Sequence, residues 1–341
     1  MKAAILVEQN KPLVVTEIRI QKKLAYGQVL VRILYTTICG AQINEFQGTK
    51  GPDKFLPHLL GHEGSGIVEE CGPGVTQVTK GDKVILHWRK GNGIQAATPE
   101  YKWANNKVNA GWVTTFNEYA IVSENRITKI PDNSDMRTAP LYGCALTTAF
   151  GILQNEVQAK SGESIIIFGV GGVGSALVLA SRLISLYPIV AVDINDSKLK
   201  RVMSFGATHA VNSNKDDVTS IIKANFPNGA DIVAETTGLN YVKELAYELT
   251  APLGKTVFVG VTKVGENVSI DTTPLHFGKS LIMSYGGGSN PSYDIPRLIR
   301  LQQIGRLKLD GMITKEYSLD HINNAFEYVM KSDGLRCLIR M

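Results

Sequence analysis

"SIIIFGVGGVGSALVLA", residues 164–180, decides the fold. An apolar β-forming run leads straight into Gly169-x-Gly171-x-x-Gly174, and an Ala/Leu/Val helix pattern follows. Glycines permit a tight turn there and let the backbone approach a phosphate group at a helix N-terminus. In a chain with 33 glycines the spacing alone would arise by chance. The strand-turn-helix context adds weight, and so does Asp193, which closes the next apolar run 19 residues after Gly174. Together they make a dinucleotide fingerprint. Gly169, Gly171, Gly172 and Gly174 are the expected cradle. Asp193 can accept from both ribose hydroxyls and would repel a 2′-phosphate, so NAD is expected rather than NADP.

Outward from this turn, strands and helices alternate. Candidate strands are 164–168, 189–193, 208–212, 231–235, 255–260 and 280–285. Between two of them, "DSKLKRVMSFG" (196–206) has an acidic start and Gly206 as its stop. Six apolar strands with helical crossovers predict a parallel, doubly wound sheet buried on both faces. Residues 1–146 read differently, as short β-like runs such as "GQVLVRILYTTI" separated by turns such as "CGPGV". The class is therefore α/β, with a β-rich domain ahead of a nucleotide-binding one. Past residue 288, two helical stretches near 294–305 and 319–331 and a strand "LRCLIRM" form a tail assigned to the first domain. The expected division is 1–146 with 286–341, and 147–285.

A length of 341 residues exceeds what one hydrophobic core usually organises. The net charge of +5 is scattered without a basic tract, so neither nucleic acid nor a membrane surface is an expected partner. The longest apolar stretch, 176–192, is broken by Arg182 and Pro188 and is too interrupted to span a bilayer. The N-terminal "MKAAILVEQNKPLVV" reads as a first strand. Cys39, Cys71, Cys144 and Cys337 are far apart and include no Cys-x-x-Cys pair, which fits a reducing cytoplasm.

Cys39 sits in "YTTICGAQIN" (35–44), where a β-branched run gives way to a helix-like one. From the residues alone it is open whether this cysteine is a metal ligand, a nucleophile or packing. "LLGHEGSGIV" (59–68) sets His62 and Glu63 among glycines before a β-like run. With Cys39 and Cys144 they could form a Cys-His-Cys zinc site. Separations of 23 and 82 residues do not by themselves select that reading over packing. Cys71 and Cys337 read as structural, and His58, His87, His209, His276 and His321 show no ligand-like grouping.

These stretches, with "GDKVI" (81–85), "TTFNEYAIVSENRITKIP" (114–131), "GCALTTAFG" (143–151) and "IPRLIRLQQIGRLKLDGMIT" (295–314), resemble the zinc-containing medium-chain alcohol dehydrogenases over essentially the full chain. The resemblance implies a GroES-like β-rich catalytic domain and a Rossmann cofactor domain. It implies hydride transfer between NAD and an alcohol, polyol or sugar derivative, or the matching carbonyl. One catalytic Zn2+ would lie on Cys39, His62 and Cys144, with Glu63 in or behind the ligand set. Thr148 and Val173 match positions against the nicotinamide, Asp193 and Lys198 the adenosine ribose, and Arg336 the pyrophosphate. Trp88, Phe116 and Val261 match the substrate pocket, Val261 also counting among the cofactor contacts. A homodimer through strands 255–260 and 280–285, or a homotetramer, is implied as well.

Three departures from that family pattern stand out. Residues 86–117 hold no cysteine, so the structural four-cysteine zinc lobe of many relatives is not expected, and Trp88, Tyr101 and Trp103 are expected to order the segment by packing. Gly40 replaces a basic pyrophosphate contact found in some members. Ala41 and Asn44 replace a hydroxyl residue and, often, a histidine, so the usual proton relay is missing and Ala41 joins the pocket. Two other readings remain beside the dehydrogenase. One is a zinc-free quinone- or enoyl-type reductase on the same fold; the other is a non-catalytic nucleotide-binding or structural protein.

Overall fold

Buried on both faces, the apolar runs of the second half assemble as one parallel sheet. Its order is His209–Asn212, Ile189–Asp193, Ile165–Phe168, Ala230–Glu235, Thr250–Phe258 and Ser280–Met283. Every adjacent pair is parallel, with Phe168 opposite both Val192 and Glu235. The computed structural model describes residues 1–331 and 334–341. They divide into two compact units, Met1–Thr147 with Asn290–Met341, and Thr148–Ser289.

In the second unit, helix Gly172–Leu183 follows the glycine turn and buries its 174–181 face. A Cβ on Gly174 would sit 1.9 Å from the Gly169 carbonyl oxygen, so only glycine lets the helix start this close to the strand. Helix Asp196–Phe205 begins at Asn195, whose side chain accepts from the Ser197 and Lys198 amides, and it stops at Gly206 (φ 121°). Ile166, Phe168, Val190, Val192, Val233 and Val242 share its core.

The first unit is built around the long strand Gln28–Ile38. It pairs antiparallel with Glu63–Cys71, Tyr119–Ser123 and the C-terminal strand Arg336–Arg340. Lys83–His87 and Ile127–Lys129 extend the sheet beyond Glu63–Cys71, and Ile313–Ser318 extends it beyond Arg336–Arg340. Helix Ile322–Met330 covers one face, burying Ile322, Ala325 and Phe326 against Ile38, Leu60 and Cys337.

Hydrogen bonds from the strand Tyr119–Ser123 and the turn after it join the expected aromatic packing in ordering residues 86–117. Glu124 Oε1 accepts the backbone amides of Thr76 (2.5 Å) and Gln77 (2.7 Å), and its Oε2 accepts that of Ile94 (2.8 Å). Arg126 donates to the Trp88 carbonyl and to Gln95 Oε1, and Ser123 Oγ accepts from Ala96 N at 3.0 Å. Tyr101 contributes as expected: it is buried, and its hydroxyl accepts from Ile121 N at 3.0 Å. Trp103 packs from the edge of the same cluster.

Burial opposes the charged form of Glu124, yet the three amide donors outweigh it and hold the carboxyl below its usual range. A depressed folded value means stability that is present above the unfolded carboxylate range and lost as pH falls through the folded one. Glu124→Gln turns one acceptor into a donor facing an amide N–H. It is expected to cost about 2 kcal/mol, with hydrogen-exchange protection lost at Gln77 and Ile94. The wild type should lose the same local protection only as acid protonates Glu124. Unchanged protection at both amides in the variant would contradict this role.

Candidate metal centre

Cys39, His62 and Cys144 come to one place because three pieces of backbone end there. Cys39 follows the last residue of strand Gln28–Ile38 and opens helix Gly40–Phe46. His62 immediately precedes the neighbouring strand Glu63–Cys71, where Thr36 lies opposite Gly64. Cys144 ends the 3-10 turn Ala139–Gly143 and leads into helix Ala145–Gly151. That turn lies hard against the sheet, since a Cβ on Gly143 would fall 2.5 Å from the Leu86 carbonyl and 2.9 Å from Glu63 Cβ. Any larger residue would push Cys144 away.

The two sulfurs and an imidazole nitrogen lie within 4.8 Å of one another. Cys39 and Cys144 are buried, and His62 Nε2 is a buried polar atom with no hydrogen-bond partner. Such an atom is costly unless something binds it. Two soft sulfurs and one imidazole make a donor set that fits zinc with a fourth position left open. The Cys144 thiol beside Cys39 is the first cause that pulls Cys39 well toward the thiolate, with Arg336 and His62 adding to it against burial. The same contact, together with burial, raises Cys144. A cation bound between the two thiols would favour the thiolate form of both.

Glu63 stands behind this donor cluster, one of the two places the resemblance allowed it, and its Oε2 has no hydrogen-bond partner. Its Oε1 accepts from Thr37 Oγ1 (2.6 Å) and from Arg336 Nη1 (2.8 Å), in a buried ion pair. Burial pushes the Glu63 carboxyl up, and Arg336 is the main opposing influence. Arg336 also donates to the Ile38 carbonyl at 3.3 Å, and its Nε and Nη2 have no hydrogen-bond partner. The pocket assignment of Phe116 is corrected. It is fully buried, edge-on to Phe326 at 5.9 Å inside the core, so it lines no pocket. Trp88, by contrast, stands beside the cluster, its ring centroid 6.5 Å from that of His62. Ala41 is half-buried on the first turn of the helix that Cys39 opens.

Gln42 is the residue whose part the sequence did not reveal. Its side chain is 1% exposed. Its Oε1 accepts from Cys39 N at 3.2 Å, and its amide is hydrogen-bonded to His62 Nδ1. One neutral side chain therefore braces two of the three donors. The motif "Cys-x-x-Gln" reads as a helix cap, and only the tertiary approach of His62 shows its second partner. His87 is no proton acceptor for the site. Burial lowers it to about 4, and both ring nitrogens are engaged, with the Arg89 carbonyl and with Thr128 Oγ1.

The nucleotide-binding features lie in the second unit. Asp193 Oδ2 accepts from Val170 N at 2.8 Å, and its Oδ1 accepts from Asn195 N at 3.0 Å, which sets the carboxylate beside the glycine turn. A Cβ on Gly171 would meet nothing within 4 Å, so the mouth of the turn is open. Thr148 is buried, Gly172, Val173 and Lys198 are half-buried, and Val261 is exposed.

A family model described as an alcohol dehydrogenase GroES-like domain matches residues 25–132, and one described as a zinc-binding dehydrogenase matches residues 172–303. Alcohol dehydrogenase-like 2 of Arabidopsis thaliana is 29% identical, over 100% of this chain and 96% of the relative. S-(hydroxymethyl)glutathione dehydrogenase of Paracoccus denitrificans is 28% identical, over 99% of both chains. The benzyl alcohol dehydrogenase structure from Acinetobacter calcoaceticus superposes with a TM-score of 0.90 at 27% identity, covering 100% of this chain and 99% of its own.

Because Gln42 fixes the ring of His62, Gln42→Leu is expected to weaken zinc binding by roughly 10–100-fold, read by competition with a chromophoric chelator. Gln42→Glu, which puts a carboxylate oxygen that accepts from Nδ1–H where the amide nitrogen stood, should retain the metal. The wild type should hold about one zinc per chain. Zinc affinity unchanged by Gln42→Leu would remove this role.

Proposed function

Since the chain belongs to the zinc-containing medium-chain alcohol dehydrogenase family, we propose that it moves a hydride reversibly between NAD and the carbinol carbon of a primary alcohol. The observation that carries this reading is the Cys39, His62 and Cys144 donor set, with Nε2 of His62 buried and unpartnered. Zinc held there supplies Lewis acidity, worth several pKa units to an oxygen acid.

The chain's own residues supply the rest. Cys39 and Cys144 contribute negative charge and His62 a neutral nitrogen, while Gln42 and the Glu63–Arg336 pair keep them in register. Trp88 gives the substrate an aromatic wall. Ala41 offers no hydroxyl and His87 is locked neutral, so the alcohol proton leaves through water or a group on the substrate or cofactor. Asp193 beside an open glycine turn favours the two ribose hydroxyls of NAD, with Thr148, Val173, Lys198 and Val261 as further contacts. Arg336, with two unpartnered nitrogen atoms, suits a pyrophosphate oxygen.

Two copies of the chain are expected to associate through the open edge Ser280–Met283, where Met283, Phe277 and Leu253 are exposed. Among the described residues no helix is long and apolar enough to cross a membrane. Four free cysteines suit a reducing cytoplasm.

The test is NADH formation from a panel of primary alcohols, polyols and sugar derivatives by zinc-loaded protein. At least one alcohol should be oxidised, and activity should vanish with the metal. The kcat/KM for NAD should exceed that for NADP by roughly ten-fold or more, because Asp193 would meet the 2′-phosphate with like charge. Equal values would mean that Lys200 or Arg201 neutralises the phosphate. Ala41→Ser restores a hydroxyl and is expected to raise kcat on a small alcohol toward the roughly 10²-fold that a positioned proton carrier adds. A solvent isotope effect that shrinks in the variant would identify proton transfer as the relieved step. No gain despite limiting proton transfer would show that the missing hydroxyl is not the restraint.

A further inference from the structure

Where strand Lys83–His87 ends beside the metal ligands, the chain carries Trp88 and Arg89 in succession. The Arg89 guanidinium lies over the Trp88 ring, 5.6 Å from its centroid, and that ring is in turn 6.5 Å from the ring of His62. Both side chains are half-buried. The cation is therefore no farther from His62 than those two separations joined end to end. That is the reach of a small molecule whose hydroxyl lies at the metal ligands.

The backbone holding this cation is fixed from several sides. His87 Nδ1 donates to the Arg89 carbonyl at 2.8 Å, and Arg126 donates to the Trp88 carbonyl. Gly91 N donates to the Asn125 carbonyl at 2.8 Å, and Asn92 N to Ser292 Oγ at 2.8 Å. Along the sequence Lys83, Arg89 and Lys90 lie between Asp82 and Glu100 with no acidic residue among them, and the Glu124 carboxylate that packs on this segment is engaged by backbone amides. A planar guanidinium preorganised on an aromatic face matches carboxylate and phosphate oxygens, and it loses little freedom in binding them.

Resting on the dehydrogenase reading above, we propose that Arg89 is a specificity-determining residue. It selects an alcohol or carbonyl substrate that carries an anionic oxygen group, carboxylate or phosphate, at the end remote from the hydroxyl. Trp88 sets the distance between the two ends.

The experiment compares three probes of one shape on zinc-loaded protein by titration calorimetry: 4-(hydroxymethyl)benzoate, 4-(hydroxymethyl)phenyl phosphate and 4-methylbenzyl alcohol. At least one anionic probe should bind roughly ten-fold tighter than the neutral one or better, and the tighter anion identifies the group. Arg89→Gln should bring the anionic probes to the affinity of the neutral alcohol and leave the latter unchanged. Arg89→Lys should keep part of the preference, because charge remains while the planar fork is lost. Equal binding of all three probes by the wild type, no binding of any, or a preference that survives Arg89→Gln would overturn the proposal. Binding needs no turnover. An anion preference without NADH formation from any alcohol would refute the reaction and leave the anion site standing.

Discussion

A single buried contact, Arg336 to Glu63, ties the metal centre to the rest of the first unit. Arg336 enters from the last strand and reaches the carboxylate next to His62 and the carbonyl next to Cys39. Thr37 bonds the same carboxylate oxygen from the strand that delivers Cys39. Ligands that are 23 residues apart in sequence are thereby fixed to one another through their neighbours. A buried ion pair is seldom worth much as stability, and removing one partner strands the other charge. Its value here is positional. It converts the register of three strands into the spacing of two ligands.

The lobe after strand Lys83–His87 shows a different economy. Where many relatives close this segment with four thiolates around a metal, Glu124 joins the Ile94 amide to those of Thr76 and Gln77 in the turn ahead of the strand, and Arg126 gathers two oxygen acceptors. Both residues follow strand Tyr119–Ser123, so the lobe is ordered from the sheet outward. The same arrangement fixes the main chain under Trp88 and Arg89. The ordering of the lobe and the placement of Trp88 and Arg89 thus share their hydrogen bonds.

How much of this was legible depended on the range of the interaction. The parallel sheet was visible because its strands are buried on both faces and read as apolar runs, and "FGVGGVG" announced the turn through backbone needs alone. Strand Thr250–Phe258 begins earlier than its apolar core because Pro252 and Gly254 disguise the bulged entry opposite Ala230. The Cys39, His62 and Cys144 cluster was legible only through resemblance, since no local spacing encodes it. Gln42 and Glu63 were obscure for one reason. A buried polar side chain declares its partner only when a second element packs against it, so the bond of Gln42 to His62 was hidden and Glu63 stayed open between ligand and support. Phe116 is the opposite case, an aromatic residue whose depth cannot be judged from its neighbours along the chain.

The position of strand Arg336–Arg340 also bears on how the molecule comes into being. It lies between Gln28–Ile38 and Ile313–Ser318, so Ile38, beside Cys39, meets Arg336 from 298 residues farther along the chain. On the ribosome, Cys39, His62 and Cys144 emerge long before the guanidinium that compensates Glu63. The second unit, whose open six-stranded sheet is drawn from one continuous stretch, needs no strand from the first. A molecule cut ahead of Arg336 would keep the thiols of Cys39 and Cys144 and lose the guanidinium that ties Glu63 to the strand delivering Cys39.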